Sequence, residues 1–229
     1  MPERVLLLGG TREAVAHAKE LHDEGIAVVT SLAGRTKEPH PVAGAVRTGG
    51  FGGVDGLVRY IRARRIDRVI DATHPFAVRI SANAEAACAA TGTPLEVRLR
   101  PPWREQAGDR WLRVATETEA AAAIPTGARA LLALGSQRLQ HFSERTDVHF
   151  VVRMVDPPPA PLALTRHTLL VARPSSDWDE EAGLLRAHAI THVVSRNSGG
   201  QGAYAKIEAA RRLALSVVMI DRPAALTRA

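Results

Sequence analysis

The segment RVLLLGGTREAVAHAKELHDEG, residues 4–25, decides the fold. A short apolar run ends in two glycines, and apolar residues then recur at Ala14, Ala18 and Leu21 before Gly25 closes the segment. The run predicts a buried strand, and the helical spacing predicts a helix that ends at a C-terminal glycine. A strand, a tight turn and a helix in this order form the repeating unit of a parallel sheet covered by helices.

The same alternation continues to the end of the chain and restarts once. Further strands are predicted in IAVVTSL, AVRT, DRVIDA, LEVRL, WLRVA, ARALLALG, HFVVRMV, HTLLVA, THVVS and SVVMI. The restart follows RPPW at residues 100–103, which places a boundary within residues 97–110. The stiff DPPPAP run at residues 156–161 cannot continue a central strand and is predicted to be a loop. We predict two α/β domains, residues 1–100 and 101–229.

The composition indicates a globular protein without a disulfide framework. The 229 residues are 45% apolar, which suffices for one large core or two small ones. The single cysteine, Cys88, lies in an alanine-rich run and is predicted to be a small buried side chain. The N-terminal apolar run is too short for a signal sequence, and no window approaches the length of a spanning helix. We expect a soluble, cytoplasmic protein that has no contact with a membrane.

The net charge of +6 and the pI near 10.3 indicate an anionic ligand. Nucleic acid is the first candidate, but the arginines are scattered along the chain, and four Phe, three Trp and two Tyr provide few surfaces for base stacking. The sequence also contains no recognisable nucleic-acid-binding module. We therefore expect no nucleic-acid partner and favour a small ligand that carries carboxylates or phosphates.

The first predicted turn has the pattern of a dinucleotide-binding turn. Gly9, Gly10, Thr11 and Ala14 match it as G-x-T-x-x-A, with threonine at the second glycine position and a small residue where helix and strand meet. The glycines allow a close backbone approach, and Thr11 can offer its amide and its hydroxyl to a phosphate at the helix N-terminus. The alternative is that the glycines serve only to bend the chain.

The end of the second predicted strand distinguishes between the two nicotinamide cofactors. NAD requires an Asp or Glu near this position for the ribose hydroxyls, whereas SLAGRTKE offers Ser31, Arg35 and Lys37 before any acid. This pattern favours the 2′-phosphate of NADPH, unless Arg35 is only a solvent-exposed loop cation. The glycine loop GGFGG at residues 49–53 follows the third strand, and we expect Gly50 to lie beside the cofactor; a plain flexible turn is the alternative.

The segment ATHPFA at residues 72–77 lies between the fourth predicted strand and an alanine-rich helix. Thr73 or His74 can cap that helix, with Pro75 in its first turn. In a doubly wound sheet, ligands bind outside the carboxyl ends of the strands. His74 and Phe76 are therefore predicted to face a nicotinamide ring or a flat substrate. The alternative for His74 is a capping role without chemistry.

A second candidate binding turn, SRNSGG at residues 195–200, follows a predicted strand in the second half. Arg196 offers a guanidinium, Asn197 an amide and Ser198 a hydroxyl, and Gly199 and its neighbour offer backbone N–H groups. Together these groups suit the capture of a carboxylate or a phosphate. The strand ends ALGSQR and DRP are weaker signals of the same kind.

The sequence lacks the characteristic motifs of three other enzyme classes. A short-chain dehydrogenase needs a Tyr four residues before a Lys, and neither Tyr60 nor Tyr204 has one there. HAITH at residues 188–192 has two imidazoles but lacks the glutamate of a zinc protease, so no metal site is predicted. The sequence also lacks the G-x-S-x-G turn of α/β-hydrolases.

These motifs together resemble the precorrin-6A reductase family of corrin-ring biosynthesis. The resemblance runs almost from end to end and rests on LLLGGTREA, IDATHPFA with ISANA, RPPW, RMVDPP, ARPSSDW, SRNSGG with AKIEAARRL, and VVMIDRP, all in the family's order. DATHPFA and NSGG are the most specific pair. Arg196 is a departure, because many members carry lysine before NSGG; the cation is kept, but the two side chains differ in geometry.

The resemblance implies that one double bond of the precorrin-6A macrocycle is reduced by hydride from NADPH, which gives precorrin-6B. It also implies two Rossmann-like halves with the active cleft between them. Acetate and propionate groups rim this tetrapyrrole substrate, so an arginine-rich cleft and a positive net charge share one cause. The alternatives are a reductase of cobalt-precorrin-6A or of another polycarboxylate, and a non-catalytic tetrapyrrole-binding protein. We expect a monomer.

On this basis, our mechanistic hypothesis assigns roles to the candidate residues. The residues assigned to NADPH, all in the N-terminal half, are Gly9, Gly10, Thr11, Ser31, Arg35, Gly50 and Thr73. The residues assigned to substrate carboxylates, all in the C-terminal half, are Arg196, Asn197, Ser198 and Gly199. Thr11 and the glycines before it serve the pyrophosphate, Arg35 with Ser31 the 2′-phosphate, and Thr73 with His74 the nicotinamide. His74 is also the candidate proton donor, with solvent or a substrate carboxyl as alternatives.

Overall fold

The computed structural model describes residues 2–34 and 40–223. They form two compact units, of which the first extends to Arg100 and the second is Pro101–Pro223. Each unit is built on its own sheet, and every strand pair in both sheets is parallel. The α/β class and the two Rossmann-like sheets predicted from the sequence are confirmed. The active cleft between the halves stays a prediction.

The first unit has five strands and three helices in the described residues. The strands are Arg4–Leu8 (β1), Ala27–Leu32 (β2), Ala45–Thr48 (β3), Arg68–Asp71 (β4) and Leu95–Val97 (β5). The helices are Arg12–Asp23 (α1), Gly53–Arg64 (α2) and Val78–Thr91 (α3). The strand order is β3-β2-β1-β4-β5.

Strand β1 sends alternate side chains to the two faces of this sheet. Val5 and Leu7 belong to the core under α1, whereas Leu6 and Leu8 belong to the core under α2 and α3. All four side chains are buried. Because both faces of the sheet are covered, the strand is a continuous apolar run without alternating polar residues.

The strand order reverses between β1 and β4. From β1 the chain continues through β2 and β3 on one side, and β4 and β5 follow on the other side. The carboxyl ends of β1 and β4 therefore meet at the switch point, where doubly wound sheets bind their ligands. The segments that follow these two ends are residues 9–11 and residues 72–74.

The second unit has six strands, three α-helices and a 3₁₀ helix. The strands are Trp111–Val114 (β6), Arg129–Leu132 (β7), His149–Met154 (β8), His167–Val171 (β9), His192–Arg196 (β10) and Ser216–Ile220 (β11). The α-helices are Glu117–Ala123 (α4), Trp178–Ala187 (α5) and Ala205–Arg212 (α6), and the 3₁₀ helix is Ser136–Phe142. The strand order is β6-β11-β10-β7-β8-β9.

The switch point of the second sheet lies between β7 and β10. Leu131 of β7 and Val193 of β10 are buried in one core cluster with Leu185 of α5 and Ile207 of α6. At the carboxyl ends of these strands, the ALGSQR and SRNSGG turns become neighbours in space. Both sheets therefore place the turns singled out from the sequence beside a switch point.

Some local features differ from, or add to, the sequence predictions. The 3₁₀ helix after β7 is not predicted, because a single tight turn lacks a hydrophobic period; it begins after Gly135, which has φ +79°. Cys88 is buried as predicted, and burial raises the pKa of its thiol. No described helix is long and apolar enough to cross a membrane.

Candidate active site

The turn after β1 is shaped by its two glycines. The Gly9 N–H donates to the Ser31 carbonyl at 3.0 Å, and a Cβ on Gly9 would lie 2.9 Å from Cγ2 of Thr30. Gly10 has φ +109°, a conformation that favours glycine, and a Cβ on it would meet no described atom within 4 Å. The turn therefore packs closely against β2 at Gly9 and is open at Gly10.

Thr11 holds this turn to the end of β4. Its hydroxyl accepts from the Ala14 N–H at 3.0 Å, as the N-cap of α1, and donates to the Ala72 carbonyl at 2.9 Å. A hydroxyl has a single proton, so Thr11 cannot donate it to a phosphate while this bond stands. A phosphate here would instead bind main-chain N–H groups of the turn and of the first turn of α1.

Arg47 places a cation at the carboxyl end of β3. It pairs with Ser31 in the β2–β3 register, and its Nη1 donates to the Ser31 Oγ at 2.8 Å. The guanidinium also donates to the carbonyls of Gly49, at 2.9 Å, and Gly50, at 3.1 Å. The Cζ atom of Arg47 lies 3.8 Å from the centre of the Phe51 ring. These contacts fix the cation beside the end of β2.

Sequence reasoning misses Arg47 because its position depends on strand register. Nothing local distinguishes it from the other arginines, and only the pairing with Ser31 brings it beside β2. The cations that the sequence does offer after β2, Arg35 and Lys37, lie outside the described residues.

Thr73 turns toward β4 and away from the helix that follows. Its N–H and its hydroxyl both donate to Oδ1 of Asp71, at 3.0 and 2.7 Å, and both side chains are buried. Helix α3 begins only at Val78, and its N-cap residue makes no side-chain capping bond. The prediction that Thr73 or His74 caps this helix, with Pro75 in its first turn, is wrong. Ala77 is the N-cap residue, and its N–H donates to the His74 carbonyl at 2.7 Å, so a separate turn lies between these residues and the helix.

One ring nitrogen of His74 is fixed by the backbone. Nδ1 accepts from the Phe76 N–H at 3.2 Å, and the two ring centres are 5.8 Å apart. A ring nitrogen that accepts a hydrogen bond carries no proton, so the neutral ring is protonated on Nε2. A second proton on the ring would break the bond to Phe76. The geometry therefore suits a neutral hydrogen-bond donor better than a charged general acid.

Asn197 joins the SRNSGG turn to the RPPW segment. Its Oδ1 accepts from the Trp103 N–H at 2.8 Å, its Nδ2 donates to the Trp103 carbonyl at 3.0 Å, and the residue is buried. The Trp103 indole donates to the Gly200 carbonyl at 2.7 Å. A Cβ on Gly199 would overlap the Pro101 carbonyl. These contacts join two motifs whose residues Trp103 and Asn197 are 94 positions apart in the sequence. Both polar ends of the Asn197 side chain are bonded to Trp103.

Two arginines fix the rest of this turn. Nη2 of Arg196 donates to the Leu134 carbonyl at 2.6 Å, across the switch point between β10 and β7. Arg222, just after β11, donates to the carbonyls of Asn197 and Ser198, each at 3.0 Å. The Ser198 hydroxyl donates to the Arg196 carbonyl at 3.3 Å. The sequence singles out Arg196 and Ser198, but for Arg222 its only signal is the DRP motif.

Comparison with known proteins gives the family. A model described as Precorrin-6x reductase CbiJ/CobK matches residues 4–229. The chain belongs to the precorrin-6x reductase family. The family predicted from the motifs is thereby confirmed.

Individual members of the precorrin-6x reductase family match over nearly the whole chain. The precorrin-6A reductase of Rhodobacter capsulatus is 50% identical over 226 residues, which cover 98% of this chain and 90% of that protein. A solved structure of a CobK precorrin-6A reductase, also 50% identical, has a TM-score of 0.94 and covers 97% of this chain and 89% of that one. The cobalt-precorrin-6A reductase of Priestia megaterium is 30% identical over 235 residues, 96% of this chain and 90% of that protein.

This member of the precorrin-6x reductase family gathers cations at the carboxyl edge of its second sheet. Arg138 follows β7, Arg173 follows β9, Arg196 ends β10 and Arg222 follows β11. The carboxyl ends of parallel strands share one edge, so the four guanidiniums follow strands that end there. Such a row suits a ligand with several carboxylates. Within residues 2–34 and 40–223, no cluster of three or more His, Cys, Asp or Glu could hold a metal ion.

Proposed function

We propose that this protein is a precorrin-6A reductase, which reduces one double bond of the macrocycle and gives precorrin-6B in cobalamin biosynthesis. The observation that carries the proposal is the match, at 50% identity, to a protein of that name over 98% of the chain. This match extends over the turns at the carboxyl edges of both sheets. A cobalt-bearing ring is the alternative substrate, and the relative named for it is only 30% identical.

The proposed cofactor is NADPH, which supplies the hydride when it is bound. A dinucleotide needs a turn where its pyrophosphate can approach the main chain, and the positive φ and open space at Gly10 fit that need. The N–H groups of Gly10 and Thr11 are assigned to the pyrophosphate. Gly9 and the Thr11 hydroxyl keep the turn in shape, because the Gly9 N–H and the hydroxyl proton already have protein acceptors.

Arg47 is the proposed anchor for the 2′-phosphate, with Ser31 and, beyond the described residues, Arg35. Ser31 and the carbonyls of Gly49 and Gly50 hold the guanidinium without neutralising its charge. The residues that end β2 and follow it, SLAG at 31–34, contain no acid for a ribose hydroxyl. Gly50 therefore contributes through its carbonyl, which helps to orient the cation.

His74 is the proposed hydrogen-bond donor at the nicotinamide end, through its Nε2–H. The turn of Asp71 and Thr73 fixes the chain just before it, and the Phe76 N–H fixes its tautomer. Reduction adds a hydride to one carbon of the macrocycle's double bond and a proton to the other carbon. Because a charged His74 would lose the bond to Phe76, we assign that proton to solvent or to a substrate carboxyl.

The proposed contacts for substrate carboxylates are Arg196, Ser198 and the main chain at Gly199. A guanidinium has five N–H donors, and the bond from Arg196 to the Leu134 carbonyl orients the fork. Asn197 is reassigned from substrate contact to positioning, because both ends of its amide bind Trp103.

The experiment that tests the function measures NADPH oxidation by the purified protein with precorrin-6A, beside matched reactions with NADH and with the cobalt-bearing ring. The proposal expects NADPH-dependent turnover to a product with two more hydrogens. Faster turnover of the cobalt-bearing ring would select the alternative substrate. Ring binding without oxidation of either cofactor would make the protein a non-catalytic tetrapyrrole binder.

A further inference from the structure

A buried ion pair lies beneath the segment ARPSSD, residues 172–177. Nη1 of Arg153, in β8, donates to both carboxylate oxygens of Glu181, in α5, at 2.6 and 2.8 Å. The two side chains are only 4% and 2% exposed. Removing two charges from water costs about as much as their attraction returns, and an apolar pair of similar volume is often as stable. Stability alone therefore does not account for this pair.

The Glu181 carboxylate also binds the segment above it. Oε1 accepts from the Ser175 N–H at 2.9 Å. On either side of this contact, the Ala172 N–H donates to a carbonyl at the end of β8 at 2.8 Å, and the Asp177 N–H donates to the Ser175 Oγ at 3.0 Å. The segment is thus held at several points between β9 and α5. Arg173 lies between these points and is exposed.

Arg173 belongs to the carboxyl edge of the second sheet, where ligands of such sheets bind. It follows β9, whereas Arg196 ends β10, and β7 and β8 lie between those two strands. Three strand spacings correspond to about 14 Å. A macrocycle rimmed by carboxylates presents acids in several directions, so cations spaced along an edge fit it better than one compact cluster.

We infer that Arg173 binds a carboxylate of a macrocyclic polycarboxylate substrate, and that the Arg153–Glu181 pair is a positioning device for Arg173. The inference rests on the proposed function, whose substrate is such a ring. The buried pair acts through the Ser175 N–H and the segment, and not on the substrate itself. It accounts for the ARPSSDW motif, to which the proposed function alone gives no role.

The first test compares Arg173→Gln with Arg166→Gln. Both changes remove one exposed arginine, but Arg166 precedes β9 at the opposite edge of the sheet. Loss of a charge-assisted hydrogen bond raises the KM for precorrin-6A by about tenfold or more in Arg173→Gln, with the KM for NADPH unchanged. Arg166→Gln leaves both constants as in the wild type. Equal KM values for the two variants would overturn the substrate role of Arg173.

The second test removes the buried charges without leaving one of them unpaired. Arg153→Met combined with Glu181→Leu retains an apolar core and should fold with an unchanged or higher Tm. Its KM for precorrin-6A rises as in Arg173→Gln, and adding Arg173→Gln to it raises the KM little further, because both changes remove the same contact. Additive effects, or an unchanged KM in a folded double variant, would contradict the positioning role.

A third variant tests the positioning role even if the double variant misfolds. Ser175→Pro deletes the N–H that Glu181 accepts and leaves the ion pair in place; it also deletes the Oγ that accepts from the Asp177 N–H, so Ser175→Ala, which deletes only that Oγ, is its control. Ser175→Pro should raise the KM for precorrin-6A and leave kcat and the KM for NADPH close to wild type; an unchanged KM for the ring would contradict the positioning role. If the wild type fails to oxidise NADPH with precorrin-6A, the proposed function fails first. Absorbance titration of the ring into Arg173→Gln and Arg166→Gln then tests the binding role by itself.

Discussion

The Thr11 hydroxyl donates to the Ala72 carbonyl at 2.9 Å and so joins the glycine turn after β1 to the end of β4. The second sheet has a counterpart, because Nη2 of Arg196 donates to the Leu134 carbonyl at 2.6 Å between β10 and β7. In each unit a side chain crosses the point at which the strand order reverses. Thr11 and Arg196, which the sequence predicts to bind cofactor and substrate, therefore also hold the carboxyl edges of the two sheets in shape.

Thr11→Val keeps the shape of the side chain but removes both hydrogen bonds. We expect a loss of about 1–2 kcal/mol in the free energy of unfolding and a higher KM for NADPH, because the turn is no longer held to β4. Thr116→Val is the matched control, since Thr116 caps α4 through the Glu119 N–H at 3.1 Å and lies in the other unit. Urea titration and cofactor kinetics check both variants. An equal NADPH affinity in the two variants would refute the role given to Thr11.

Arg47→Gln removes the cation beside Ser31. If Arg47 binds the 2′-phosphate, the KM for NADPH rises by about tenfold or more, whereas the KM for NADH changes little, because NADH lacks that phosphate. The ratio of the two constants is the measured quantity, since any general disturbance of the glycine loop affects both cofactors. Arg64→Gln, at the end of α2, should leave the ratio unchanged. Parallel losses for NADPH and NADH would move Arg47 to a purely structural role.

His74→Gln and His74→Leu separate the two roles available to the ring. Glutamine can place an N–H near the position of Nε2 but cannot act as an acid, whereas leucine offers no donor. A donor role predicts that His74→Gln keeps most of kcat and that His74→Leu loses it. Single-turnover rates with precorrin-6A measure the difference. Equal, large losses in both variants would restore His74 as the proton donor.

Asn197→Ala leaves the buried N–H and carbonyl of Trp103 without their side-chain partners. We expect the free energy of unfolding to fall by about 2–4 kcal/mol, as measured in denaturant. Ser198→Ala, one residue further on, should cost little stability but raise the KM for precorrin-6A. A stable Asn197→Ala variant with a raised substrate KM would return Asn197 to the set of direct substrate contacts.

His149 makes the stability of the second unit depend on pH. Burial, together with the nearby Arg129 and Arg166, holds the pKa of His149 below its ordinary value of 6.5. The unfolded chain therefore binds a proton more readily, so stability is full above pH 6.5 and is lost as the pH falls through the lowered pKa. His149→Gln should show a smaller fall in Tm between pH 8 and pH 5 than the wild type. Identical slopes would contradict this assignment.

Much of the fold could be predicted because it depends on local patterns. The run RVLLL is apolar throughout because both faces of its sheet are covered, and Ala14, Ala18 and Leu21 form the buried face of α1. The alanine-rich helix after ATHPFA is present as α3, but the prediction of its cap is wrong, because a turn from His74 to Ala77 lies before the helix. No local rule separates such a turn from the first turn of a helix, so only the folded chain shows where the helix begins.

The site was harder to predict because its key contacts are not local. Residues at the right strand ends were found, since parallel strands place their carboxyl ends on one edge. The contact of Asn197 with Trp103 spans 94 residues, and that of Arg47 with Ser31 depends on register. Spacing in the sequence therefore identifies the turns but does not separate residues that bind a ligand from residues that hold the turn in shape.

Hydride transfer from NADPH to the macrocycle is tested most directly by following the hydride itself. NADPH with deuterium in place of both hydrogens at C4 of the nicotinamide is incubated with the protein and precorrin-6A. The product is then examined by mass spectrometry. Hydride transfer from NADPH predicts one deuterium in the reduced macrocycle for each NADPH oxidised. NADPH oxidation without deuterium in the ring, or no oxidation with a ring that binds, would contradict it.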